Sequence, residues 1–121
     1  MKAIRIVSIL IALMGVVHIG ATFSPLIGGK LASLDAGTQN AMIYMSLMCG
    51  LLLVVLGGYM CWATKKAGTV PELKPTLLIT SILMLVDGVA AVSFMPHNPF
   101  AWIIAALCTV QYAIKIVFYK R

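Results

Sequence analysis

Charge is scarce in this chain. Of its 121 residues only 10% are Asp, Glu, Lys or Arg, and just three are acids, against a hydrophobic share of 62%. A soluble domain of this size cannot hide so much apolar surface, and a mean hydropathy of +1.06 excludes that class. All five prolines fall outside the long apolar runs. The three cysteines, Cys49, Cys61 and Cys108, form no C-x-x-C pair, which leaves thiol-disulfide chemistry without support. There is no nucleophile elbow, phosphate-cradling glycine loop or metal-ligand set. Alternating polarity over strands of ~10 residues, the mark of a membrane barrel, is also missing.

What remains is four apolar runs, at 4–23, 40–63, 76–94 and 100–119, each near the ~20 residues a spanning helix needs. They predict an all-α integral membrane protein: a compact bundle of four transmembrane helices, up-down-up-down, forming one domain over residues 1–121. Lys and Arg are retained on the cytoplasmic side of a membrane. Eight of them, Lys2, Arg5, Lys65, Lys66, Lys74, Lys115, Lys120 and Arg121, fall on one side of this arrangement, and only Lys30 on the other. Both termini are therefore expected in the cytoplasm, in a bacterial inner membrane. The net charge of +6 is then topological: it predicts contact with lipid headgroups and no nucleic-acid partner. Lys2 and Arg5 ahead of an apolar core also resemble a signal peptide, but no A-x-A site follows, so the segment is read as span one.

The connections differ in kind. Residues 24–39 are long enough for a short interfacial helix or a lid, with Pro25 ending span one and Asp35 or Thr38 available to cap span two. Residues 95–99 form a turn with two prolines, which makes spans three and four an antiparallel hairpin. Small residues let helices approach in lipid. They predict packing stripes at Ser8, Ala12 and Gly20; at Ser46, Gly50 and Gly58; and at Ala101, Ala105, Thr109 and Ala113. Trp102 near one boundary, with Tyr59, Trp62 and Tyr119 near the other, fits aromatic belts.

Asp87 is the only acid inside a predicted span, and an ionisable group there is a functional-site hypothesis by default. At ~1.5 Å per residue, Asp87 and His18 both fall about 8–10 Å inside the outer boundary. Tyr44 sits at a comparable level and Gln111 near the midplane. These four are the candidate substrate- or proton-binding residues, with Thr22, Asn40 and His97 as a possible rim. A carboxylate beside an imidazole titrates as a coupled pair, suited to loading and releasing a proton. The competing reading is a hydrogen-bonded layer that only fixes helix register. Met42, Met45 and Met48, with Cys49 and His18, offer soft ligands for Cu(I), although a methionine stripe also serves as packing. Haem would need a second histidine at the depth of His18, and His97 lies elsewhere. No metal or cofactor is expected.

In size and four-span layout the chain is similar to the small multidrug transporters, except that their first-span glutamate has no counterpart here. The segment GLLLVVLGG at 50–58 resembles the second span of DoxX-type small membrane proteins. Neither resemblance transfers a functional residue. The function expected is that of a small transporter-like protein, a homodimer or part of a larger membrane complex, with an outer pocket for a proton, cation or small solute. Second comes a lipid- or quinone-binding or accessory subunit. A membrane-embedded acid-base enzyme acting on a lipidic substrate is third.

Overall fold

The computed structural model describes residues 2–119, with side chains through residue 117, so Lys120 and Arg121 lie outside the described residues. The elements are α1 (Lys2–Thr22), the single turn α2 (Gly28–Leu31), α3 (Ala36–Lys66), α4 (Leu73–Phe94) and α5 (Pro99–Tyr119), with no strand among the described residues. Four of these helices are long and apolar enough to cross a membrane. Their most apolar windows are only 17–28% buried, which leaves broad faces of Leu, Ile, Val and Met uncovered. Helices apolar on every side belong in lipid, where such faces need no cover.

The helix ends depart from the hydropathy boundaries for local reasons. Helix α3 starts four residues earlier than expected because Asp35, extended at φ −61° and ψ 153°, caps it. The Asp35 Oδ1 accepts hydrogen bonds from the Gly37 and Thr38 amides, both at 3.1 Å. At 31 residues the helix is roughly 46 Å long and exceeds a ~30 Å hydrocarbon core. Helix α4 takes in Pro75 because a proline in the first turn forfeits no intrahelical bond. Residues 24–39 do contain a short helix, α2, with Leu31 tucked against the bundle.

The Asp35 cap carries a pH dependence. Hydrogen bonding from Thr38, its side chain first and then its amide, holds the Asp35 carboxyl below the ordinary carboxylate range. With the folded value depressed, the cap's contribution is complete above the unfolded value and is lost as pH falls through the folded one. The Gly37 and Thr38 amide signals are expected to titrate together, at a lower pH than in a free peptide covering residues 33–40. An NMR titration checks this, and Asp35→Ala should remove the transition.

Packing follows one rule on all four long helices. The buried seam positions are Ile4, Ser8, Ile11, Gly15 and Thr22 on α1; Gly50, Leu53, Gly57, Met60, Thr64 and Ala67 on the α3 side; Leu77, Ser81, Met84 and Gly88 on α4; and Ala101, Ile104, Cys108, Gln111 and Lys115 on α5, with Ala63 and Thr80 buried beside them. Each series advances in steps of three and four, or one step of seven, the 3.5-residue repeat of supercoiled bundles. The expected small-residue stripes used steps of four or eight, and the structure corrects them. Gly20 and Gly58 face open space, while Gly15 and Gly57 face a neighbouring helix. Thr109 and Ala113 are exposed. Steps of four advance 400° around a helix with 100° per residue, so such a stripe drifts off a seam that repeats every seven.

Close approach is greatest between α1 and α3, followed by α4 and α5, with α1 against α5 and α3 against α4 less extensive. A Cβ added at Gly15 would lie 2.6 Å from the Gly50 carbonyl oxygen, and one at Gly57 would lie 2.7 Å from the Ser8 oxygen and 2.8 Å from the Ala12 nitrogen. At Gly88 it would come within 3.0 Å of the Ala105 Cα. The contacts 15 with 50 and 8 with 57 run in opposite senses, so α1 and α3 are antiparallel. The α4–α5 hairpin is closed by the Trp102 Nε1 donating to the Pro96 oxygen at 2.9 Å. Hydroxyls on the outward faces stay satisfied by bonding back one turn, Ser93 to the Val89 oxygen at 2.8 Å and Thr109 to the Ala105 oxygen at 2.7 Å.

Candidate functional site

The half of the bundle near the α4–α5 turn contains a small cavity. Met14 and His18 of α1, Cys49 of α3, Asp87 of α4, and Met95 and Asn98 of the turn contribute to its wall, with apolar residues of α3, α4 and α5 completing it. His18 and Asp87 thus reach one space from two helices. Tight packing of Gly88 against Ala105 brings this stretch of α4 against α5 beside the cavity. The cavity volume is about 30 Å³. With ~10–15 Å³ needed per water, it has room for about two waters, far below the ~300 Å³ of ordinary ligand sites.

His18 is held by a closed circuit of hydrogen bonds. Its Nε2 lies 3.1 Å from the Ser46 Oγ, Ser46 lies 2.7 Å from the Thr22 Oγ1, and Thr22 donates to the His18 carbonyl oxygen at 3.0 Å. A threonine hydroxyl carries one proton, and a carbonyl can only accept. Satisfying all three contacts therefore makes Ser46 the donor to Thr22 and His18 Nε2–H the donor to Ser46. In the neutral ring this leaves Nδ1 with the free lone pair, the nitrogen that can take up a proton. Asp87, by contrast, forms no hydrogen bond with the described residues and shares the cavity wall with His18.

The other expected site residues are dispersed. Tyr44 is 65% exposed and does not line the cavity. It sits two residues from Ser46, about 200° around α3 from the buried seam. Gln111 is fully buried but forms no floor to this space, since it lies seven residues, about 10 Å, beyond the cavity-lining Ile104. Its Nε2 donates instead to the Ser8 Oγ at 2.8 Å, and Ser8 donates to the Ile4 oxygen at 2.7 Å. Thr22 is buried within the His18 circuit, not at a rim. Asn40 and His97 are exposed and do not line this cavity.

Three residues join the site without having been singled out for it. Ser46 had counted only as a small packing residue; its place on the 46-50-53-57 seam is the signal that aims it at His18. Cys49 lines the cavity. Asn98 does as well, while its Oδ1 accepts from the Phe100 amide at 3.0 Å and caps α5. The methionine stripe weighed for copper points away: Met42, Met45 and Met48 are 48%, 64% and 45% exposed. Among the described residues no three His, Cys, Asp or Glu side chains are grouped to hold a metal ion.

No known protein family matches this chain, and neither does any curated protein or solved structure. Function has to be argued from the geometry alone.

Proposed function

We propose that this bundle binds and passes a proton at the His18–Asp87 cavity, as a small transporter-like membrane protein. The observation that carries the proposal is one water-sized cavity reached by two titratable side chains on different helices. Its volume suits a proton or a water molecule and is too small for an organic solute, a quinone headgroup or a lipidic substrate. The free Nδ1 of His18 and the unbonded Asp87 carboxyl supply the two stations such a transfer needs. The bias of Lys and Arg supports an orientation with the Lys2 end in the cytoplasm and the cavity on the opposite side.

A second reading has one observation in its favour. The Thr22–Ser46–His18 circuit closes on itself, as a structural lock between α1 and α3 would, and that suits an accessory subunit without transport. Proton flux separates the two. In proteoliposomes carrying an internal pH-sensitive dye, the wild type is expected to dissipate an imposed gradient, and Asp87→Asn to lose at least ~10-fold of that rate. Wild-type flux no greater than that of empty liposomes would sink the proposal.

A further inference from the structure

Three buried polar atoms find no hydrogen-bond partner among the described residues: Arg5 Nε, Thr64 Oγ1 and Gln111 Oε1. They come from three helices and share the half of the bundle away from the His18 cavity. Native structures leave few such atoms, and each calls for an explanation. Lys115, only 5% exposed, is the next seam position after Gln111. Because Gln111 meets Ser8 and the helices run antiparallel, Lys115 falls level with Ile4 and Arg5. Lys74, near the start of α4, belongs to the same end of the bundle.

Among the described residues this end therefore gathers several cations, and none of them forms an ion pair with an acidic side chain. Of the three acids, Asp35 and Asp87 belong to the other half, and Glu72 is exposed ahead of α4. Cations removed from water without a counter-charge are costly. On its outward side Arg5 opens into a groove of about 280 Å³, lined also by Lys2, Ile6 and Ile9. Ile6 and Ile9 are 59% and 46% exposed, and the apolar strip continues away from the chain's start through Leu13 and Val16. The groove is cationic at the membrane boundary and apolar inward from it.

We propose that this groove holds one anionic phospholipid from the leaflet at the Lys2 end. Its phosphate would lie on Arg5 and Lys2, and its acyl chain along Ile6 and Ile9. Arginine suits the role because the two terminal nitrogens of its planar guanidinium can meet two phosphate oxygens together, a geometry that lysine's single ammonium lacks, while its Nε stays buried against the bundle. The net charge of +6 favours an anionic over a zwitterionic headgroup. This site is independent of the proton cavity and stands or falls separately.

Native mass spectrometry of the protein in neutral detergent tests it, with phosphatidylglycerol and phosphatidylcholine offered together. The wild type is expected to retain one phosphatidylglycerol, and Arg5→Gln to lower that bound fraction at least ~10-fold, as a charge-assisted bidentate contact implies. Lys65→Gln, which removes one charge from the exposed end of α3, should leave it unchanged. Ile9→Trp fills the apolar part of the groove without touching a charge and should also displace the lipid, which keeps the test decisive if Arg5→Gln fails to fold. Equal losses from Arg5→Gln and Lys65→Gln, retention of phosphatidylcholine as strongly as phosphatidylglycerol, or full retention by Ile9→Trp would each overturn the proposal. Millimolar inorganic phosphate that raises the melting temperature as much as phosphatidylglycerol would assign the site to a free anion and overturn the lipid.

Discussion

A leucine at Gly57 is expected to unfold this bundle, while the same change at the adjacent Gly58 leaves it folded. At Gly57 even one carbon would sit 2.7 Å from the Ser8 oxygen and 2.8 Å from the Ala12 nitrogen, atoms of a helix backbone that cannot swing aside. The neighbouring helix must then retreat along its length, taking with it the Gly15–Gly50 approach one heptad further on. Overpacking a core costs typically 1–3 kcal/mol, and a backbone-to-backbone clash belongs at or above the top of that range, about 3 kcal/mol. In lipid that loss is not offset by a hydrophobic driving force between helices, because exposed Leu and buried Leu have similar surroundings. Gly58 has nothing within 4 Å, so a leucine there meets only membrane. Its expected effect is within about 0.5 kcal/mol, with better helix propensity as a small gain. Thermal unfolding of both variants in detergent measures the contrast; equal melting temperatures would refute the seam.

Proton flux is expected to collapse in both His18→Ala and Asp87→Asn, by roughly 100-fold, with the double variant no slower than either. Two groups that act as one relay give non-additive losses, because removing either ends the transfer. Stability should respond differently. Asp87 makes no hydrogen bond with the described residues, and Asn has nearly the same shape, so Asp87→Asn should keep the melting temperature. His18→Ala breaks the circuit through Ser46 and Thr22 and should cost about 1 kcal/mol, the usual net value of a buried hydrogen bond. If both variants instead destabilise the bundle equally, and the double variant is no worse than either, the layer is a lock and the proton relay is wrong.

Much of the fold was legible in the residues. The four spans, the long connection with its short helix, and the hairpin at residues 95–98 follow from hydropathy and proline placement, properties local to each segment. Helix ends shifted by up to four residues, where a cap at Asp35 or a first-turn Pro75 decided them. Rise per residue set His18 and Asp87 at similar heights along their helices, and both line one cavity. An outer pocket shared by the two was expected on that basis, while Tyr44 and Gln111 show what helical rise leaves out. Tyr44 lies on the exposed side of α3, and Gln111 lies on the buried side of α5 but bonds to Ser8, away from the cavity.

By itself, then, the sequence determined a membrane class, four helices and their approximate lengths. The tertiary structure alone decided azimuth: that Gly57 rather than Gly58 meets α1, that Ser46 meets His18, and that Asp87 shares its cavity with Cys49 and Asn98. The physical reason is the solvent. In water an amphipathic stripe announces which face is buried, but a helix in lipid is apolar on all sides, and its facing is settled by steric fit and a few hydrogen bonds with partners distant in the chain.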